Sequence, residues 1–514
     1  MSTRHVILRN VASNWIGYLV GVVVALFISP FVVHTLGDSS YGIWTLVVSV
    51  TGYYGLFDLG IRSAVGQYVT RYWAQRDMDG VNRTMNTAFV ALATVALPVA
   101  GTTVVLAVLL PRLFDIDPGY APQAQGALLI IGLRVAAGLP LAIYGAVTTA
   151  RQRFDISNAI GIVNSLVSAG LIVLLLPRYG ILGLAVTTAI AAVMDWVAHV
   201  WVAHRLMPGL VFSPRRSSWM AIKEIGHYGV FAFIRRISDQ VIYQTDAIVI
   251  GIFMPLGAIT YYVIGANLLP YLGRIIGGMV LPLTPVATSA DATGDREQLR
   301  RLFLVGTRGT FLVACFIGGG TIFLSHDFLR LWMGAKYVSG EVYTSSAVIL
   351  TILAAAALVR MLQSCGLQIL FGMRHVRFLA LLSGCEAIAN LGLSLMLVKP
   401  FGLVGVAVGT LVPQVLTQGI VQPVFLLRRL GIRWRTYLTQ APVGGLAVMA
   451  SMGLVYALTG GYFAATDWVG FLIKGLVVSG PAVLVGILIG TTGQEKSALV
   501  RRVRTVLGGL RRPS

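Results

Sequence analysis

Apolar runs of about 20 residues follow one another along the whole chain, separated by short polar stretches. A bilayer's hydrocarbon core is spanned by ~20 helical residues, and no globular core could absorb so many uninterrupted segments. The runs fall at roughly 11–34, 40–66, 87–111, 122–148, 156–177, 181–204, 227–253, 257–285, 303–325, 343–371, 376–398, 402–427, 437–459 and 468–491. The pattern predicts an all-α polytopic membrane protein of about fourteen transmembrane helices.

The polar linkers alternate in character. One set is basic, holding Arg71, Arg76 and Arg83, then Arg151 and Arg153, Arg205, Arg215, Arg216 and Lys223. It continues with Arg296, Arg300, Arg301 and Arg308, Arg374 and Arg377, and Arg428, Arg429, Arg433 and Arg435. With the termini it accounts for 27 of the 39 Lys and Arg, and the opposite linkers hold five. Cytoplasmic loops carry such an excess, so both termini are expected in the cytoplasm and the number of spans is even. The net charge of +20 is explained in the same way, and a nucleic-acid partner is not expected. Charged residues make up only 11% of the chain against 56% hydrophobic. Cys315, Cys365 and Cys385 fall in apolar segments, without a disulfide framework or metal-ligand spacing. The first apolar run is too long for a cleavable signal and reads as a retained helix.

An internal repeat shows next. Tyr179-Gly180-Ile181-Leu182-Gly183-Leu184-Ala185-Val186 echoes Phe401-Gly402-Leu403-Val404-Gly405-Val406-Ala407-Val408 at an offset of 222. Leu36-Gly37 with Tyr41 matches Leu256-Gly257 with Tyr261 at an offset of 220. Both offsets correspond to six spans, the mark of duplicated lobes in transporters. The expected organisation is an N-terminal six-helix lobe (1–205), a cytoplasmic linker (206–226) and a C-terminal six-helix lobe (227–430). Helices 13 and 14 (431–492) and a basic cytoplasmic tail (493–514) complete it.

Ionisable groups inside spans are costly and mark functional paths. Asp58 and Arg62 stand four residues apart, one turn on a continuous helix. The plain reading is a self-neutralised structural pair, and the functional one is a charged cavity lining. Further polar stripes favour the second. Span seven carries Arg235, Asp239, Tyr243 and Asp246 at helical spacing, with Arg236 and Gln240 beside them. Span eight carries Asn267, Tyr271 and Arg274, and span ten Arg360, Ser364 and Gln368. By helical rise, Arg274 and Arg360 lie ~25 Å from the outer ends of their helices and Arg235 and Arg236 ~12–14 Å from the inner end of theirs. Lys474, near an outer end, is expected to snorkel. The stripes predict a hydrated, cationic cavity suited to an anionic, phosphorylated headgroup. Asp195 and His199 pair on span six, where an interfacial contact outweighs a proton shuttle. No P-loop, HExxH or GxSxG motif is present, and the short outer linkers leave no room for the catalytic loop of a polymerase or ligase. No enzyme, cofactor or metal site is expected.

Asn10-Val11-Ala12-Ser13-Asn14-Trp15, Leu36-Gly37 with Tyr41-Gly42, and Phe57-Asp58-Leu59-Gly60-Ile61 resemble bacterial polysaccharide (O-antigen, Wzx-type) flippases. These belong to the multidrug/oligosaccharidyl-lipid/polysaccharide (MOP) exporter superfamily. The resemblance implies two pseudo-symmetric six-helix lobes around a V-shaped central cavity, plus two C-terminal helices, working by alternating access in the bacterial inner membrane. It implies an undecaprenyl-pyrophosphate-linked oligosaccharide substrate for O-antigen, capsule or exopolysaccharide biosynthesis, with Arg62 and Arg274 at the pyrophosphate. Arg235, Arg236, Arg360, Asn267, Tyr271 and Gln368 join them from depth and periodicity. Membrane lipids, and beyond them a polysaccharide polymerase with its chain-length machinery, are the partners in view. Proton or sodium coupling stays open, with Asp58, Asp239, Asp246, Asp195 and His199 as charge-pairing or coupling candidates. The alternatives are a lipid II flippase and a drug/cation antiporter, the latter disfavoured because span one lacks Asp and Glu.

Overall fold

The computed structural model describes residues 3–218, 230–459 and 465–490. α1 (Thr3–Gly52) leads through a 3-10 turn (Tyr53–Asp58) into α2 (Ile61–Ala74), α3 (Met78–Leu113), α4 (Ala121–Leu141), α5 (Gly145–Ala150) and α6 (Phe154–Leu206). Next come α7 (Val230–Phe253), α8 (Gly257–Ala266), α9 (Leu269–Val280), α10 (Leu283–Ala292) and α11 (Arg296–Met333). After a single turn at Lys336–Ser339 follow α12 (Ser346–Gly372), α13 (Val376–Gln414), a π-helical turn (Val415–Val421) and α14 (Gln422–Leu430). The chain continues as α15 (Trp434–Gln440), α16 (Val443–Thr459) and α17 (Trp468–Gly490). Among the described residues there is no strand. The expected basic tail over 493–514, and Lys223 of the basic linkers, lie outside the described residues.

Nine of these helical stretches are long and apolar enough to cross a membrane, or ten if α15 and α16, bent by 48°, make one span. Three of the nine are far too long for one crossing. The stretch Phe154–Leu206 has 53 residues, ~80 Å at the helical rise, against a hydrocarbon core of ~30 Å. Each long stretch breaks at a glycine with positive φ: Gly37 (φ 74°), Gly180 (φ 54°) and Gly402 (φ 56°). Combined with ψ of 171°, −132° and −134°, these φ values are nearly closed to residues with a Cβ. At Gly180 and Gly402 the chain turns back on itself. A Cβ on Gly183 would strike the carbonyl of Leu175, and one on Gly405 that of Leu397, although eight helical residues span ~12 Å. Two limbs for each broken stretch, the bent pair and α7 recover the fourteen expected segments. α7 is absent from the apolar nine because it carries Arg235, Arg236, Asp239 and Asp246.

The chain divides into two compact units, Met1–Val263 and Ile264–Ser514. In the first, α2 buries Ala64, Val65 and Val69, and the latter two pack with Met85, Leu92 and Leu139. The turns of the 36/256 repeat meet: the Thr260 hydroxyl donates to the Asp38 carbonyl at 2.7 Å. α3 also takes hold of the extended segment after α6. The Asn82 amide donates to the Gly209 carbonyl and accepts from the Val211 amide, both at 2.9 Å. One turn on, Asn86 donates to the Val211 carbonyl at 2.8 Å and accepts from Ser213 at 2.7 Å.

In the second unit, Phe303, Cys365, Leu426 and Tyr437 belong to one core. A smaller cluster of Leu324, Met452, Val478 and Ala482 joins α11, α16 and α17. Lys474 corrects an expectation here. It does not snorkel: its ammonium is buried and donates to Asp327 at 2.6 Å, over the ring of Tyr456 at 5.1 Å. A carboxylate within reach inside the helix packing holds the charge that would otherwise seek the membrane surface.

Candidate functional site

The path from α1 to α2 sets the geometry of the first unit. The expected continuous span over 40–66 is interrupted: Leu59 (φ 48°) and Gly60 (φ 79°) are left-handed. Asp58 stabilises the break, its Oδ1 accepting from the Gly60 amide at 2.8 Å. Asp58 and Arg62 therefore straddle a turn rather than lie on one helix, yet their ion pair survives at 3.8 Å. The closer partner of Asp58 comes from α7. Arg236 Nη1 reaches Oδ2 at 2.8 Å and Oδ1 at 3.1 Å.

Asp58 is buried to 1% exposure, while Arg62 and Arg236 remain 43% and 46% exposed. One carboxylate thus serves two guanidiniums and cannot neutralise both. α7 runs along the break, with Gln240 and Gln244 against Gly52 and Thr245 hydrogen-bonded to Tyr53 at 2.5 Å. Arg235 pairs with Asp239 at 3.8 Å, both side chains partly exposed. Asp246 is buried and accepts from the Tyr262 hydroxyl at 2.5 Å. Asp195 and His199 form the expected local pair, Nδ1 lying 3.4 Å from the carboxylate and 3.0 Å from the Asp195 carbonyl.

A cleft of about 670 Å³ opens beside Arg62, between α2 and the segment from Ala142 to Thr149. Its α2 wall is the face opposite Ala64, Val65 and Val69, and carries Arg62, Ser63, Gly66, Gln67, Thr70 and Arg71; the other wall is chiefly Ala142, Ile143 and Ala146.

The second unit holds the other expected residues. The stripe of Asn267, Tyr271 and Arg274 is not on one helix: α8 ends at Ala266 and α9 begins at Leu269. Pro270 lacks the N–H that would bond the Ala266 carbonyl, so the helix breaks there. Tyr271 and Arg274 stay together on α9, with Arg274 exposed. Gln368 accepts from Thr284 at 2.7 Å, tying α12 to α10.

Arg360 meets a residue that the sequence reading passed over. Its Nη2 lies 3.3 Å from Oε1 of the buried Glu386. Thr417 donates to the same carboxylate at 2.7 Å and Gln418 at 3.0 Å. Thr417 and Gln418 sit on the π-helical turn that follows Pro413, which turns both toward Glu386. With its amide turned to satisfy the bonds, Gln414 accepts from Arg360 Nε at 2.5 Å. Glu386 is the one acidic residue in its span, so the signal was present. Among the described residues no cluster of His, Cys, Asp and Glu could hold a metal ion.

This architecture defines a class, multi-span membrane proteins with the fold of the MOP-superfamily transporters. Lipid II flippase MurJ in an inward closed conformation superposes with a TM-score of 0.70 at 14% identity, covering 96% of this chain and 98% of that one. An inward-facing multidrug MATE transporter gives 0.65 at 14% identity over 80% of this chain and 98% of that one. The chain belongs to the polysaccharide biosynthesis protein family, whose model matches residues 32–340. The membrane protein EpsK of Bacillus subtilis (strain 168) is 21% identical over 98% of this chain and 99% of its own length. A Shigella flexneri protein named as an O-antigen transporter is 20% identical over 78% of this chain and 93% of its own. These relatives by sequence and by fold are named as transporters, flippases and a membrane protein, not as enzymes.

Proposed function

We propose that this protein is a flippase for the lipid-linked precursors of a surface polysaccharide. Its cargo is a polyprenyl-diphosphate-linked oligosaccharide, carried from the inner to the outer leaflet of a bacterial inner membrane by alternating access. The observation that carries this reading is the sharing of one buried carboxylate, Asp58, by Arg62 and Arg236. The surplus guanidinium charge suits a diphosphate, which arginine binds with matching fork geometry. The cationic surroundings disfavour a cationic drug. Membership of a polysaccharide biosynthesis family gives the cargo its class. Arg274, exposed on α9, is proposed as a second anion contact, and Arg235, Asn267 and Tyr271 as further lining. Arg360 and Gln368 serve from within the second unit, the former through Glu386. The basic loops support a cytoplasmic position for both termini. Asp246, Asp239 and the Asp195/His199 pair are the proposed points of proton or sodium coupling.

The test is reconstitution in liposomes with a fluorescent polyprenyl-diphosphate oligosaccharide on one leaflet, read by glycosidase access on the other. Fast exposure with wild type, lost in Arg62→Ala and in Arg274→Ala, supports the reading. Export of small cations without glycan exposure moves the protein to the antiporters, and preference for lipid II over other glycans moves it to peptidoglycan synthesis.

A further inference from the structure

The cleft on α2 is larger than a diphosphate needs. Ligand sites typically enclose ~300–1,000 Å³, and this one, at about 670 Å³, has room for sugars as well. Its α2 wall is mostly polar: Ser63, Gln67 and Thr70 lie with Gly66 between Arg62 and Arg71, while the facing wall offers Ala142, Ile143, Ala146 and one hydroxyl, Thr149. Hydroxyl and amide groups of this kind exchange hydrogen bonds with sugar hydroxyls. In a chain whose outer surface is largely apolar, an exposed face with two guanidiniums belongs to a watery path rather than to hydrocarbon.

The two arginines mark the two ends. Nine residues separate them, ~13.5 Å of helical rise. Arg62 shares Asp58 with Arg236, so that end already gathers two guanidiniums. At the other end, no carboxylate among the described residues pairs with Arg71 or lines the cleft. A basic residue near a span end is ordinary under the positive-inside rule, but that rule does not place a guanidinium on the wall of a cleft beside Ser63, Gln67 and Thr70. A diphosphate held at Arg62 leaves Arg71 facing the glycan.

Resting on the flippase reading, we infer that this cleft reads the sugar part of the cargo, and that Arg71 selects glycans bearing a second negative group, a carboxylate on a sugar two or three residues from the diphosphate. The polyprenyl diphosphate supplies the anchor common to all cargoes, and the Arg71 end supplies discrimination among them.

The experiment runs the liposome assay with two polyprenyl-diphosphate oligosaccharides of equal length, one neutral and one with a uronic acid at the third sugar. Wild type should expose the acidic glycan faster. Arg71→Ala should cut the acidic-to-neutral rate ratio about tenfold, the scale of one hydrogen bond to a charged group. Arg71→Lys, which keeps the charge, should restore much of it. A wild-type ratio near one, or a ratio unchanged in Arg71→Ala, overturns the inference while leaving the flippase standing. Movement of neither glycan removes the flippase reading and this one with it.

Discussion

Gly180 and Gly402, 222 residues apart, hold nearly the same backbone conformation, φ 54°, ψ −132° and φ 56°, ψ −134°. The repeat seen in the sequence is thus a repeat of one reverse turn, built in each unit on a glycine where a Cβ is strained. Gly183 and Gly405, three residues on, let the returning limb close against the carbonyls of Leu175 and Leu397. Gly180→Ala and Gly402→Ala should each cost about 1–3 kcal/mol, read as a lowered thermal midpoint in detergent. Gly161→Ala, inside α6 with open space where the methyl would go, is the control and should leave the midpoint unchanged or raise it.

Asp58 distinguishes its two arginines by distance. Arg236→Gln removes the partner at 2.8 Å and leaves a buried carboxylate with a contact at 3.8 Å. Arg62→Gln leaves the close pair intact. Breaking a buried ion pair typically costs ~3–5 kcal/mol, and partial exposure of Arg236 puts this one at or below the low end. Arg236→Gln should therefore destabilise more than Arg62→Gln in thermal unfolding, although both impair transport. Equal losses would show that the carboxylate does not favour Arg236.

Lys474 and Asp327 offer a cleaner case, with side chains only 4% and 11% exposed. Lys474→Met strands a buried carboxylate and should cost ~3–5 kcal/mol, while the double replacement Lys474→Met with Asp327→Leu should recover most of it. A double-mutant cycle on thermal midpoints measures this. Strict additivity would show that the two side chains do not interact.

His375, in the turn between α12 and α13, is held below the usual imidazole range by burial and by the nearby Arg429, with Asp291 opposing. An imidazole that protonates less readily when folded contributes fully above the unfolded value of about 6.5. That contribution falls away as pH drops through this value toward the folded one. Arg429→Gln should raise the His375 titration midpoint in carbon-13 histidine NMR. An unmoved midpoint would leave burial as the whole cause.

The all-α membrane-spanning fold, its span pattern and the family were legible in the sequence, because apolar period and charge placement dominate a chain solvated by lipid. The breaks were not. Asp58 and Arg62 have the spacing of a helical pair, and only the left-handed Leu59 and Gly60 separate them. Pro270 did announce its interruption, but a tally of polar residues at helical spacing passes over it. The choice of partner was hidden for another reason. Whether Asp58 prefers Arg62 or Arg236, and whether Lys474 finds Asp327, depends on helices brought together from 147 or more residues away. Local spacing carries no record of that.

Asn82 and Asn86 are spaced so that a helix can count an extended chain. Four helical residues rise ~6 Å and two extended residues advance ~6.6 Å, so their amides meet Gly209, Val211 and Ser213 in register, as a neighbouring strand would. The polypeptide leaving α6 is metered from this ruler. One residue added between Met207 and Gly209 would offset every bond at once, whereas length added beyond Ser218 leaves the count untouched. The segment leaving α6 is therefore held along α3 as far as Ser218, whose amide donates to the Thr87 hydroxyl at 3.0 Å.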